Sequence, residues 1–296
     1  MPEPARIGFI GLGRMGAPMS LRLAAAGFDV VGFDVSTDAR EHAAGLGLAT
    51  VVALGQAGRA AGVVILMLPS SNEVEGVLSE PSLLQELQPG TVVVDMSSSQ
   101  PWRTRNLAAS LEARGIRMLD APVSGGVAGA ESGKLTIMVG GTASDLALAR
   151  PYLDKLGRVV HAGPIGCGHA VKALNNLLSA THLWATSEAM LAGQRFGIEA
   201  EVMLSIFNAS SGRSGSTDNK WPNFILSGTF DSGFGLALMV KDMSIAVELA
   251  DQVGAPSALG SSALALWHRA AQDLPVSADH TEVARWLERE VSTHGH

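Results

Sequence analysis

Cysteine is almost absent from this 296-residue chain, in which Cys167 is the only one. A single thiol excludes an intrachain disulfide and any cysteine-rich metal site, and it suits a reducing, cytoplasmic compartment. Charge is also sparse, at 17% of residues, and Lys and Arg nowhere cluster. With a formal net charge of −7, the chain lacks the concentrated basic face that phosphate backbones require. Nucleic acid is therefore excluded as a partner and small molecules are favoured. The opening MPEPARIGFIGLG has no basic segment followed by an apolar run and a cleavage site, so no export signal is expected, and no membrane span is visible.

What the chain does have is apolar substance, 47% of its residues, enough for a large core and for two domains. RIGFIG (6–11), FDVVGFD (28–34), GVVILML (62–68) and TVVVDM (91–96) are dense in Val, Ile and Phe. They are too short for independent helices and do not alternate, as expected of strands covered on both faces. GIRMLDAPV (115–123), KLTIMVGG (134–141) and RVVHAG (158–163) add further strands. Strands that alternate with helical segments predict an α/β domain over residues 1–163, with a doubly wound, mostly parallel sheet. Beyond it the texture changes: AVKALNNLLSATHLWATSEAMLAGQRFG has no proline and predicts one long helix. Four more helical segments follow, with SSGRSGSTDNKWPNF and GTFDSGFG expected as loops, so residues 164–296 form an all-α domain.

GLGRMG, residues 11–16, lies between the first strand and a helix. Gly11 permits a tight turn, Gly13 lets the backbone approach a pyrophosphate, and Gly16 lets helix and strand pack closely. The spacing marks a Rossmann dinucleotide site, with Leu12, Arg14 and Met15 completing the turn against the cofactor. A second strand ends in Asp34, whose carboxylate is placed to accept the ribose hydroxyls and to repel a 2′-phosphate. No arginine directly follows it, so NAD is expected over NADP; Arg40 could still fold back.

Lys172 sits among Ala170, Val171, Ala173 and Leu174. A lysine there is either a surface charge or the centre of the chemistry, and an apolar neighbourhood argues for the second. Asn176, four residues on, shares its helical face, and its amide could bond a substrate oxygen. Burial and a nearby positive charge lower a lysine's pKa towards working pH, which suits a general acid and base. Lys241 could be that second charge, or could simply pair with Asp242. Ser124, Gly125 and Gly126 follow a strand end, where successive backbone N–H groups make either a carboxylate cradle or a plain connection.

Together these stretches resemble the β-hydroxyacid dehydrogenase family, over nearly the whole chain. GFIGLGRMGAPM (8–19) is similar to its cofactor turn, DAPVSGG (120–126) to its substrate segment, GCGHAVKALNN (166–176) to its catalytic helix and KDMSIA (241–246) to its carboxy-terminal signature. The resemblance implies that Lys172 is catalytic with Asn176 beside it and that Ser124, Gly125 and Gly126 hold the substrate carboxylate. It also implies that Lys241 reaches cofactor and substrate, and that Leu68, Pro69 and Ser98 touch NAD. It implies a Rossmann domain, a helical domain and a homodimer or homotetramer, acting on a small β-hydroxy acid such as 3-hydroxyisobutyrate or glycerate. The 210–224 loop departs from the family's usual side chains, which leaves the substrate open, as is any anionic contact of Arg213. An NADP-dependent imine reductase, a noncatalytic scaffold and a phosphogluconate dehydrogenase are the alternatives. Imine reductases carry another residue at the lysine position, scaffolds lack the lysine, and the last needs more basic residues and a longer helical domain.

Overall fold

The computed structural model describes residues 6–294; residues 1–5, part of the opening inspected for an export signal, lie outside the described residues. The chain divides into two compact units, Met1–Lys172 and Ala173–His296.

In the first unit nine strands are found among the described residues: β1 (Arg6–Ile10), β2 (Val30–Phe33), β3 (Ala49–Thr50), β4 (Ala61–Leu66), β5 (Val92–Asp95), β6 (Arg117–Asp120), β7 (Val123–Ser124), β8 (Leu135–Gly140) and β9 (Gly157–Gly163). They form one sheet in the order β3-β2-β1-β4-β5-β6-β8-β7, with β9 beside β8. From β3 to β6 every pairing is parallel, whereas β8 runs antiparallel to β6 and β7. The strand order reverses between β1 and β4, which opens a crevice at their carboxyl ends.

Both faces of the sheet are packed. Ile7, Phe9, Val63, Ile65, Val92 and Val94 join one apolar cluster, while Ile10, Val64, Leu66 and Val93 join another. Neighbouring residues of a strand point to opposite faces, so burial on both sides explains why these strands are continuous apolar runs. The expected strand 115–123 breaks at Ala121 and Pro122 into β6 and β7, since proline has no N–H to give a ladder. The two-residue β3 was too short to leave a sequence signal.

The second unit is helical. It contains Ala200–Asn208, Leu236–Gln252, Ala258–Asp273, Glu282–His294 and most of the long helix Cys167–Phe196. Its core is built around Trp184, whose ring lies 6.1 Å from that of Trp267 and 5.8 Å from that of Trp286. Residues 210–224, expected as a loop, are instead largely a wide helical turn, Ser216–Ile225, with the hydrogen bonding of a π-helix. Thr217 holds it in place: its hydroxyl oxygen accepts Ser214 N–H at 2.9 Å and its carbonyl accepts Asn208 Nδ2 at 3.0 Å. Among the described residues no helix is long and apolar enough to cross a membrane.

Candidate active site

The glycine turn follows β1 at the point where the sheet order reverses. Gly11 has φ +98°, and a Cβ on it would strike the carbonyl of Met67. A Cβ on Gly16 would strike the carbonyl of Gly11, yet one on Gly13 would meet nothing within 4 Å. The first and third glycines are thus required by the protein itself, and the second faces open space that a ligand can enter. The following helix, Gly16–Ala25, has no side-chain cap at its amino end, a favourable seat for a phosphate.

Asp34, just past β2, accepts Leu12 N–H on Oδ2 at 2.7 Å and Ser36 N–H on Oδ1 at 2.8 Å. The acid is thereby tied to the glycine turn. Arg40 does fold back, donating to the carbonyl oxygens of Asp34 at 2.6 Å and Val35 at 3.2 Å. Its guanidinium is committed to main chain and to the Thr37 hydroxyl. These features fit a dinucleotide: an open glycine, an uncapped helix start and a fixed carboxylate at the ribose position.

Leu68 and Pro69 follow β4, with Leu68 N–H donating to Ser97 Oγ at 2.9 Å. Ser98 is the next residue along, half-buried, in the turn after β5. Ser124 ends β7, and Gly125 and Gly126 have φ +132° and +62°, conformations that glycine adopts freely. A Cβ on Gly126 would meet nothing within 4 Å, so this turn, like Gly13, borders open space.

Lys172 is only 8% exposed. Its helix begins at Cys167, and its amino end is fastened to the sheet by a buried carboxylate: Asp120, the last residue of β6, accepts Gly166 N–H at 2.7 Å and His169 N–H at 2.8 Å. Gly168 is needed for this approach, because a Cβ there would strike Met138 O and crowd Asp120 at 2.9 Å. The His169 ring, also buried, meets Thr104 Oγ1 at 2.9 Å and stands 3.7 Å from Asp95 Oδ2. Asp95 and Asp120 face each other in register on β5 and β6. Sequence reasoning missed Asp95, Asp120 and His169, although two of them stand inside the quoted stretches DAPVSGG and GCGHAVKALNN.

In the second unit Asn176 Nδ2 donates to Asp242 Oδ2 at 2.6 Å, and Lys241 Nζ lies 3.5 Å from Asp242 Oδ1. Asp242, 1% exposed, therefore brings together two residues singled out in the sequence. An amide has two N–H donors, so this bond orients Asn176 without exhausting it. Arg213 is exposed and paired with Asp218 at 2.9 Å. Lys220, which sequence reasoning passed over, donates from Nζ to Ser179 Oγ at 2.7 Å.

A polar knot closes the same unit. Asp279 accepts the hydroxyls of Ser232 and Thr281 and the N–H groups of Gly233, Phe234 and Thr281. Burial alone acts to raise its carboxyl, but hydrogen bonds from His280 and Thr281 outweigh it and hold the group well below the carboxylate range. Burial pushes the neighbouring His280 below an ordinary imidazole, against the pull of Asp279.

Family models and solved relatives cover both parts of the chain. Residues 6–166 match the NAD binding domain of 6-phosphogluconate dehydrogenase, and residues 166–287 match the NAD-binding family of NADP-dependent 3-hydroxyisobutyrate dehydrogenase. An NAD-dependent L-serine dehydrogenase of Pseudomonas aeruginosa is 42% identical over 270 residues, 88% of this chain and 91% of the relative. The solved structure of Mycobacterium tuberculosis 3-hydroxyisobutyrate dehydrogenase with L-serine superposes with a TM-score of 0.90 at 34% identity, covering 96% of this chain and 99% of that one. An imine reductase from Myxococcus stipitatus gives a TM-score of 0.66 at 16% identity, with 96% of this chain and 99% of that one covered, and so shares the fold alone.

Proposed function

The chain belongs to the β-hydroxyacid dehydrogenase family, and from that membership we infer its reaction: it is an NAD-dependent oxidoreductase that transfers a hydride between NAD and a small β-hydroxy acid. 3-Hydroxyisobutyrate, glycerate and serine are the first candidates, the last because the Pseudomonas relative is named for it. The imine-reductase alternative rests on a likeness of fold at 16% identity. The scaffold alternative is opposed by the presence of Lys172.

The burial of Lys172 on a helix fastened by Asp120 is the observation that carries the mechanism. In the oxidation direction the neutral Lys172 amine takes the hydroxyl proton as the C–H hydride leaves. In reduction its ammonium returns that proton to the carbonyl oxygen. Ser124, Gly125 and Gly126 hold the carboxylate of the acid, and Asn176, oriented by Asp242, bonds the reacting oxygen. Positioning of this kind accounts for much of the rate. Gly11, Leu12, Gly13, Arg14, Met15, Gly16, Asp34, Leu68, Pro69 and Ser98 hold the dinucleotide, with Lys241 between cofactor and acid. NAD, when bound, supplies the hydride acceptor.

Residues 1–163 carry the dinucleotide, and residues 164–296 the catalytic helix and the contacts of a homodimer or homotetramer in the cytoplasm. The exposed Val171, Leu174 and Leu178 of the long helix support such a subunit contact. The test is NADH formation at alkaline pH across a panel of β-hydroxy acids, with NADP in parallel. Turnover of one acid with NAD is expected; silence across the panel from a protein that binds NADH would contradict the substrate class.

A further inference from the structure

His169 stands three residues before Lys172 on the helix Cys167–Phe196, about 4.5 Å away along the axis at about 1.5 Å per residue. Its ring is fully buried, and so is the carboxylate of Asp95, whose Oδ2 lies 3.7 Å from His169 Nε2. That nitrogen has no hydrogen-bond partner among the described residues. A buried polar atom of this kind calls for an explanation.

The other ring nitrogen decides where the proton sits. Nδ1 meets the Thr104 hydroxyl at 2.9 Å, closer than the 3.2 Å that separates the same hydroxyl from Gln100 O. When Thr104 donates to Nδ1, the neutral ring carries its proton on Nε2; a doubly protonated ring carries one there as well. The remaining tautomer would set a bare lone pair against the Asp95 carboxylate, which repels it. Nε2 is therefore a donor beside Asp95, about 0.5 Å outside hydrogen-bond range. The second carboxylate near the ring, Asp120 Oδ2 at 3.9 Å from Nδ1, already accepts the His169 N–H.

Asp95 reaches the other way, into the turns after β4 and β5. Its Oδ1 accepts Ser97 N–H at 3.0 Å, its Oδ2 accepts the Ser99 hydroxyl at 2.9 Å, and Ser97 Oγ in turn accepts Leu68 N–H at 2.9 Å. These turns contain Leu68, Pro69 and Ser98, which are assigned above to the dinucleotide. Ser99 takes one lone pair of Oδ2 and leaves the second for His169 Nε2. Asp95, His169 and Lys172 all lie in the first compact unit.

We propose that Asp95 and His169 form a positioning pair: the proton on His169 Nε2 closes onto Asp95 Oδ2 in the reacting complex, so that the turns seated by the dinucleotide draw Lys172 into place. The proposal rests on the dehydrogenase function given above and adds a route from the cofactor to the lysine. The pair acts through Lys172 and takes no part in the bond changes.

Glutamine and asparagine separate the two ends of the ring, since the amide of glutamine reaches the place of Nε2 and that of asparagine the place of Nδ1. With NAD and the best acid of the panel, His169→Asn is expected to lose about tenfold or more in kcat, with KM and NADH affinity nearly unchanged. His169→Gln is expected to keep most of kcat. In an Asp95→Asn background, where the acceptor is already altered, His169→Asn is expected to add little. A role confined to filling the site or meeting Thr104 predicts the opposite order or equal losses, and either result overturns the pair.

Hydrogen exchange on the whole protein reads the coupling without turnover. NADH is expected to slow the amides of residues 97–99 and 168–171 together in the wild type and in His169→Gln, and only the first set in His169→Asn. No slowing of the second set in the wild type, or the same slowing in His169→Asn, overturns the proposal. If the wild type oxidises none of the acids, the dehydrogenase reading falls and hydrogen exchange alone decides the pair. Should His169→Asn not fold, His169→Met, which has the length of glutamine without its amide, replaces it with the same expectations.

Discussion

Asp120 and His169 meet where the sheet ends and the helix that carries Lys172 begins: the Asp120 carboxylate accepts the His169 N–H at 2.8 Å, three residues before Lys172. With Gly166 N–H on the other oxygen, one buried carboxylate satisfies two donors at a helix start and favours the positive end of its dipole. Lys172 therefore inherits its position from a strand residue more than forty positions away.

Replacing Asp120 with Asn keeps the shape but turns an N–H pair towards one of those donors. Loss of a charged hydrogen bond in a buried place is expected to cost about 2 kcal/mol, seen as a lower midpoint in urea. Because Asp120 acts through the helix, kcat is expected to fall about tenfold or more while NADH affinity holds. An unchanged kcat would mean that Lys172 does not depend on this anchor.

The glycines of the turn make opposite predictions. Gly16→Ala drives a Cβ into the Gly11 carbonyl and is expected to cost about 1–3 kcal/mol of stability. Gly13→Ala meets nothing in the protein, so the melting temperature should hold while NADH affinity falls about tenfold, or about 1.4 kcal/mol. Fluorescence titration and thermal melts on the two variants separate these effects.

Acid should weaken the fold in two windows. His280 has a lowered pKa in the folded protein, so its contribution is intact above its ordinary value of 6.5 and is lost as the pH falls below it, because the unfolded chain takes the proton first. Asp279, also lowered, adds a second loss as the pH falls below its ordinary 3.8. The fall of melting temperature between pH 6.5 and 5 should be shallower in His280→Gln, even though that variant starts less stable. An equal slope would assign the upper window to another group.

The sheet was legible because its strands are buried on both faces, which forces runs such as VVILML, and because Gly11 and Gly16 are dictated by backbone collisions that only glycine avoids. The burial of Lys172 and Asn176 on one helix was legible from helical spacing and an apolar setting. The supports were not. Asp120 and His169 are joined across 49 positions, and Asn176 and Asp242 across 66, distances over which a single sequence carries no pairing signal. The segment SSGRSGSTDNKWPNF looked like a loop because glycine and serine usually mark turns. In the structure Ser214 and Thr217 use their hydroxyls to start a helical turn, which fixes Lys220.

The most direct test of the account is the turnover of Lys172→Ala with NAD and the best acid of the panel, alongside its affinity for NADH and its response to small primary amines. A loss of about 10²–10⁴-fold in kcat, with NADH affinity kept and activity partly restored by added amine, is the predicted result. A variant that keeps most of its activity would contradict the assignment of Lys172 as acid and base.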